Sequence, residues 1–195
     1  MKPALRWLAA LCCAGSLMAC SSTPPPQLQL SPEVIVQQAE GEKASLIAAL
    51  NSADLRNHRY LLSIHRDGQE QAELLASASN LRLDIEQQLK QAWQQQGLGF
   101  VTDSPFKLQV DILELVATAE QSSLKHQVES TMRLKVSLET PKRSLAKQYR
   151  SVHNNEGPLR LSLERQEEYL SAQLSELLTQ IANDPQFFEV LENEQ

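Results

Sequence analysis

The residue with the clearest chemical potential in this sequence is Cys20, which follows directly after Ala19. A cysteine thiolate is a nucleophile, and it can accept a diacylglycerol group. The small residue before it lets a peptidase approach the backbone, and cleavage between the two residues frees the Cys20 amine for a further acyl chain. Ala19 and Cys20 are therefore the candidate cleavage site, and Cys20 is the candidate lipidation site, at both its sulfur and its amine.

The residues before Cys20 predict a signal peptide over 1–19. Lys2 and Arg6 precede an apolar run that is shorter than the roughly 20 residues of a membrane-spanning helix. The run ends in Leu-Met-Ala-Cys, which resembles a bacterial lipobox. Two or more acyl chains hold a protein stably on a membrane. By resemblance to the sorting signals of bacterial lipoproteins, Ser21 in place of an aspartate favours the outer membrane. The alternative is an ordinary secretory signal in which Cys20 is incidental.

Composition limits the classes of function. The chain has 195 residues and a formal net charge of −6, which becomes −8 when Lys2 and Arg6 leave with the signal peptide. An acidic domain is a poor candidate for binding nucleic acid or anionic head groups. Cys20 then remains as the sole cysteine, which excludes an intramolecular disulfide although the compartment is oxidising.

The mature chain divides into two parts of different composition. Residues 20–43 hold the lipidated cysteine and a Pro-rich stretch typical of an extended tether. The same part also contains an apolar stretch around Pro32, which is either an edge strand or a docked arm. Residues 44–195 predict one periplasmic α/β domain, the size of an ordinary single domain.

Periodicity predicts a fold of the α/β class, α+β type. We expect a single domain with a mostly antiparallel sheet of about four to five strands, packed against two long helices plus a short C-terminal helix. Alternation of apolar and polar residues is clearest over 125–139, and a one-residue phase slip over 106–119 predicts a β-bulge. Apolar stripes predict helices over 80–96 and 163–182. The further strands are expected over 45–51, 60–64, 73–76 and 145–153.

Two polar groups of residues stand at expected strand ends. Asp54 and Arg56 follow the first strand, and on an extended chain residues two apart point the same way. The pair predicts an ion pair that fixes a loop, with a recognition spot as the alternative. Asn154, Glu156 and Gly157 are expected in the loop before the last long helix, where Gly157 would permit a positive φ.

The usual signatures of catalysis and cofactor binding are missing from the sequence. The four histidines, His58, His65, His126 and His153, are not spaced as metal ligands. His126 and His153 lie on the two last expected strands and could be neighbours, although a buried, hydrogen-bonded histidine is the simpler interpretation. The sequence contains neither a Gly-x-Ser-x-Gly elbow nor a phosphate-cradling glycine loop. We therefore expect no catalytic residues, no metal and no cofactor, and a protein that is not an enzyme.

Several short motifs, in this order, resemble those of the YajG-like family of bacterial outer-membrane lipoproteins. They are Asn-Ser-Ala-Asp-Leu-Arg at 51–56, Tyr-Arg at 149–150 and Asn-Asn-Glu-Gly at 154–157. The lipobox and the placement of the helices also agree with this family. The resemblance implies an outer-membrane address and a compact α/β domain, and it brings no catalytic residues.

Two functions remain as hypotheses, with an enzyme as a remote third. The first is a non-catalytic, protein-binding accessory module of the cell envelope, in which an open sheet edge accepts a partner strand. The second is a carrier for a small lipid or glycan fragment, which requires a sizeable pocket. The expected partners are the membrane, through the lipid anchor, and an envelope protein. The oligomeric state is left open.

Overall fold

Seven strands and three helices make up the part of the chain described by this computed structural model, residues 26–36 and 46–194. The predicted signal peptide, Ala19 and Cys20 lie outside the described residues. The elements, in chain order, are β1 (Leu46–Asp54), β2 (Tyr60–Arg66), β3 (Glu73–Ala76), α1 (Leu81–Gln95), β4 (Leu98–Phe100), β5 (Lys107–Gln121), β6 (Lys125–Glu139), β7 (Ser144–Pro158), α2 (Leu163–Ala182) and α3 (Pro185–Glu192).

The long strand β5 is the centre of the sheet. On one side it pairs along its whole length with β6, which in turn pairs with β7. Its other side is shared, because β1 pairs with the first half of β5 and β2 with the second half. The short strands β4 and β3 extend the sheet beyond β1 and β2.

The chain is a single α+β domain, as expected, but its sheet is mixed and has seven strands among the described residues, where about four to five mostly antiparallel strands were expected. Three of the strand pairings are parallel, β1–β4, β1–β5 and β2–β5, and three are antiparallel. The parallel pairs arise because β1 and β5 are separated by a hairpin and by α1. A connection of that kind crosses over the sheet and returns the chain in the same direction.

The alternation of apolar and polar residues in β5 and β6 agrees with the observed burial and pairing of these strands. A register shift between Ile112 and Glu114 marks the bulge predicted from the phase slip in β5. In β6, every second side chain from His126 to Leu138 is buried, while the intervening ones are partly or fully exposed. One face of this sheet therefore covers the core, and the other faces water.

Side-chain caps set where the helices begin. Asn80, Ser162 and Asp184 each accept a backbone N–H hydrogen bond at the start of α1, α2 and α3, which satisfies donors that have no partner within the helix. Pro185 follows at the first position of α3, where its missing N–H costs nothing. The apolar faces of α1 and α2 cover the sheet, with Trp93 and Leu174 among the fully buried residues.

Residues 28–36 form an extended arm docked along α2. The backbone N–H groups of Gln29, Ser31, Glu33 and Ile35 donate to the side chains of Glu167, Ser171, Ser175 and Thr179, at 2.7, 3.0, 2.9 and 3.1 Å. The donors are spaced two residues apart on the arm, and the acceptors are spaced four residues apart on α2. These spacings match, because two residues of extended chain rise about 6.6 Å and four residues of helix rise about 6.0 Å. The intervening arm residues Leu28, Leu30 and Pro32 are buried, and Leu28 also bridges to Ser77.

Candidate functional site

Asp54 and Arg56 form a bidentate ion pair at the end of β1. The Arg56 Nε and Nη2 atoms donate to the two carboxylate oxygens of Asp54, both at 2.9 Å, and the Arg56 backbone N–H donates to Oδ1 at 3.2 Å. Arg59 makes a second ion pair with the same carboxylate. The Arg56 side chain is only 7% exposed, and its Nη1 also donates to the carbonyl of Leu115, at 3.5 Å.

The charges around Asp54 keep its carboxylate ionised. Burial raises the pKa of Asp54, but the hydrogen bonds and the charges of Arg56 and Arg59 outweigh this effect, so the pKa lies below its ordinary value of 3.8. The pair joins the end of β1 to β5, just beyond the bulge. Its geometry is that of a fixed structural link, because both Asp54 oxygens are already taken by cations.

Asn154, Glu156 and Gly157 lie within strand β7, and their expected place in a loop is wrong. The strand continues to Pro158, and these residues pair with Glu129, Gln127 and His126 of β6. Gly157 does not have a positive φ either, and Leu159 has one instead, at 63°. The reason for glycine at 157 is a close approach, since an added Cβ would lie 2.7 Å from Cε1 of His126.

The histidines on β6 and β7 are not neighbours. His126 pairs with Gly157, whereas His153 pairs with Ser130, four residues further along β6. His126 is buried, and its Nδ1 forms a hydrogen bond with the carbonyl of Leu159, at 3.1 Å. His153 is half exposed, and its Nε2 lies 3.7 Å from a carboxylate oxygen of Glu176.

A polar network that the sequence did not reveal links β6 and β7 to α2. The hydroxyl of Ser130 donates to Gln173 Oε1 at 2.6 Å, and Gln173 Nε2 donates to the hydroxyl of Ser151 at 3.2 Å. Gln173 is almost fully buried. A buried amide with donor and acceptor both satisfied fixes the position of α2 beneath the sheet.

A cleft of about 380 Å³ opens beside this network, between β6–β7 and the first half of α2. Gln166 lies at its wall, is 2% exposed, and makes no side-chain hydrogen bond within the described part of the chain. Its amide therefore offers one free donor pair and one free acceptor to a molecule in the cleft. The lining carries no aspartate, glutamate, lysine or arginine; it consists of Val128, Ser130, Val152, His153, Asn154, Asn155, Gln166, Tyr169, Leu170 and Gln173.

The open edge of the sheet borders the same cleft. Strand β7 pairs with β6 over all of its fifteen residues, and its other edge pairs with no strand within 26–36 and 46–194. On the solvent face, Glu114 of β5, Arg133 of β6 and Arg150 of β7 form a row. Glu114 and Arg133 form an ion pair at 3.2 Å, whereas Arg150 has no ion pair among the described residues.

At the other end of β7, Asp184 joins the strand to the junction of α2 and α3. The Tyr149 hydroxyl donates to Asp184 Oδ2 at 2.6 Å, and Lys147 forms an ion pair with the same oxygen. Burial raises the pKa of Asp184, but the hydrogen bonds from Lys147 and Tyr149 lower it by more. The pKa of Asp184 therefore lies below its ordinary value. Burial and the adjacent Asp184 carboxylate raise the pKa of Tyr149.

The described residues offer neither a metal site nor a helix that could span a membrane. Among residues 26–36 and 46–194, no three His, Cys, Asp or Glu side chains are grouped to hold a metal ion. In the same part of the chain, no helix is long and apolar enough to cross a bilayer.

Comparison with known proteins places the chain in a family of lipoproteins. Residues 32–192 match the Lipoprotein_16 family, described as uncharacterized lipoprotein, and the chain belongs to this family. The chain is 20% identical to the lipoprotein YajG of Escherichia coli K12 over 176 residues, which cover 90% of this chain and 91% of YajG. The resemblance to the YajG-like family is thereby confirmed.

A solved structure supports the fold. The crystal structure of protein XCC0632 from Xanthomonas campestris superposes with a TM-score of 0.56 at 12% identity, over 87% of this chain and 99% of that one. At this identity the likeness concerns the fold alone.

Proposed function

We propose that this protein is a lipid-anchored accessory module of the outer membrane that binds an extended segment of an envelope protein along β7. The observation that carries the proposal is the open edge of β7, fifteen residues long and bonded on one side only. Such an edge presents a row of backbone donors and acceptors, and proteins commonly shield edges of this length. An added strand satisfies these groups.

The charge row on the solvent face indicates what the added strand carries. Opposite charges placed across neighbouring strands stabilise a sheet, whereas like charges destabilise it. Glu114 balances Arg133, and Arg150 is the next position in the row. Arg150 stands beside Arg133 and has no acidic neighbour of its own in the described sheet. A partner strand with an acidic residue opposite Arg150 would give each arginine of the row one acidic neighbour.

The cleft supplies a second element of specificity. Side chains of a strand alternate between the two faces, so every second side chain of an added strand points to the side where α2 lies. The free amide of Gln166 and the absence of aspartate, glutamate, lysine and arginine from the lining favour a neutral polar side chain, such as that of asparagine.

The proposed address rests on the signal at Ala19–Cys20 and on membership of a lipoprotein family. A triacylated Cys20 anchors a domain permanently, and Ser21 favours sorting to the outer membrane. In this location a non-catalytic binding role is supported by the edge, and no enzymatic step is needed.

Synthetic peptides test the strand addition. The probe is a capped decapeptide of alternating Thr and Val with a central Glu, compared with a matched peptide with a central Lys. We expect the Glu peptide to bind and to slow hydrogen exchange of the β7 amides, and the substitution R150E to weaken its binding about tenfold. The control R165E reverses an exposed charge on α2 and should leave binding unchanged. Equal binding of both peptides, or protection elsewhere than β7, would refute the proposal.

A second candidate function, binding of a small glycan fragment, is supported by the same cleft. Hydroxyl and acetamido groups pair with a free amide, and Tyr169 is half exposed at the cleft wall. Gln166→Met keeps the volume but removes the amide. If a chitobiose probe binds the parent and not this variant while the Glu peptide binds neither, the glycan function replaces the peptide function.

A further inference from the structure

We propose that a defined end of the domain rests on the membrane surface in which Cys20 is anchored. This end, the leucine tip, consists of the β5–β6 turn with Leu124 and the β7–α2 connection with Leu159. The inference rests on the lipid anchor of the proposed function. The occupant of the tip is a lipid surface, and it is distinct from the peptide proposed for β7.

Two residues with large, exposed apolar side chains are joined by a backbone hydrogen bond at the tip. Leu124 is 79% exposed and Leu159 is 66% exposed, and the backbone N–H of Leu159 donates to the carbonyl of Leu124 at 2.8 Å. A single exposed leucine is ordinary, but two adjacent ones on a turn form an apolar knob. Transfer of these side chains from water into an apolar phase is favourable where such a phase is within reach.

The backbone at Leu159 adds an independent observation. Its φ of 63° is in the left-handed region, which is unfavourable for a residue with a Cβ. Glycine or asparagine adopts this conformation more readily. A leucine kept at a strained and exposed position points to a use for its side chain.

The course of the chain brings the anchor to this end. Because Gln29 bonds to Glu167 and Ile35 to Thr179, the arm runs parallel to α2 and begins near the N-terminal end of that helix. Leu159 precedes the cap of α2, Ser162, by three residues. Five residues lie between Cys20 and Pro26, and the six steps from one to the other span at most about 21 Å.

The opposite end of the domain is much farther from the anchor. Strand β6 separates Leu124 from the β6–β7 turn, and its fifteen residues correspond to about 50 Å at 3.3 Å per residue. That turn lies at the C-terminal end of the helices, where Arg143 forms an ion pair with Glu194 at 2.7 Å. The short link therefore directs the leucine tip, and not the opposite turn, towards the bilayer.

The charges at the tip fit a lipid interface. Lys125 and Arg160 follow the two leucines directly, and neither forms an ion pair within the described part of the chain. Their long side chains can lie along the leucines and keep their charges among the head groups. Asp67 lies with Arg66 and Arg160 around the neighbouring groove, so the rim is mixed in charge and the leucines provide the main attraction.

Fluorescence quenching in vesicles tests this inference with the full lipidated protein. Leu124→Cys is labelled with an environment-sensitive fluorophore, because the thiol of Cys20 is blocked by its lipid and Cys12 and Cys13 leave with the signal peptide. The matched control is Lys142→Cys, in the exposed turn at the opposite end. In phosphatidylcholine vesicles with brominated acyl chains, we expect quenching of the label at 124 to exceed that at 142 severalfold. The second variant, L159N, keeps the backbone conformation and should reduce the quenching at 124.

Flotation of the vesicles separates the two proposals. Protein that floats with the vesicles, with labels at 124 and 142 quenched equally, overturns the membrane-facing tip and leaves the anchor intact. Protein that does not float overturns the anchor and with it the tip, whatever the peptide experiment on β7 gives.

Discussion

The imidazole ring of His126 occupies the space that a side chain at position 157 would need. The two residues pair across β6 and β7, and an added Cβ on Gly157 would lie 2.7 Å from Cε1 and 2.9 Å from Nε2 of the ring. The ring is itself held by the carbonyl of Leu159. Steric complementarity between a histidine and a glycine thus fixes the register at the end of the longest strand pair.

Replacing this glycine should destabilise the domain. Gly157→Ala forces the His126 ring or the strand to move, and we expect a loss of about 1–3 kcal/mol in the free energy of unfolding, as for other overpacked sites. Urea denaturation monitored by circular dichroism measures the change.

Gly99→Ala is the matched control, since an added Cβ there meets its nearest atom at 3.5 Å, an ordinary contact. The double substitution of Gly157→Ala with His126→Ala should recover part of the loss. If Gly157→Ala unfolds at the same urea concentration as the parent, the close approach of His126 to position 157 does not affect stability.

The ion pair of Asp54 makes stability depend on acid. The pKa of Asp54 is lowered in the folded state, so the unfolded chain takes up a proton first as the pH falls. The stabilisation is therefore present above about pH 4 and is lost as the pH falls through the lower folded-state pKa. Asp54→Asn should cost about 1–2 kcal/mol at neutral pH and should have a weaker acid dependence.

Unfolding curves of parent and Asp54→Asn between neutral pH and about pH 3 measure this difference. The comparison is made between the two proteins because Asp184, with its own lowered pKa, contributes equally to both. A constant difference at every pH would contradict the assignment.

The hydroxyl of Tyr149 should remain protonated as long as the domain is folded. Its pKa is raised by burial and by the carboxylate of Asp184. Above the ordinary tyrosine value of 10.0 the unfolded chain loses this proton while the folded chain keeps it, so stability falls as the pH rises. Tyr149→Phe removes this dependence and should lower stability at neutral pH by about 1–2 kcal/mol.

The difference in phenolate absorbance between parent and Tyr149→Phe, followed during an alkaline titration, is the direct measurement. We expect no difference signal until the protein unfolds. A signal that rises reversibly in the folded protein near the ordinary tyrosine range would show that Asp184 does not hold the hydroxyl.

The arm should come off α2 when its acceptors are removed. The triple substitution of Ser171→Ala, Ser175→Ala and Thr179→Val takes away three side-chain oxygens that accept arm N–H groups. Each hydrogen bond contributes about 0.5–1.5 kcal/mol. We expect hydrogen exchange at the amides of 31, 33 and 35 to accelerate while the strands of the sheet keep their protection. Ser123→Ala, in an exposed turn, is the control.

Local features of the fold were predictable because their cause is local. The alternation in β6 gives its buried face, and the phase slip in β5 gives the bulge at Ile112–Glu114. The hairpin of β2 and β3 follows from the Asp-Gly turn, where Gly68 has a φ of 77°. Each of these depends on residues within one strand or one turn.

Long-range pairing was not predictable in the same way. The apolar run that begins β1 is typical of a strand buried on both faces, as in parallel sheets, but the run does not state which strand lies beside it. The composition Asn-Asn-Glu-Gly suggested a loop, yet these residues continue an edge strand, where only one side needs a partner. The cleft at Gln166 and the network at Gln173 join residues of distant elements, and no spacing in the sequence marks them.

The four hydrogen bonds between the arm and α2 have a mechanical consequence. A force that pulls on the N-terminal end of the arm along the helix axis acts on all four hydrogen bonds at once, from Gln29 to Ile35. A force at right angles to the axis would open them one after another. A domain tethered through this arm therefore resists shear more strongly than peeling, and its hold on the tether depends on the direction of the load.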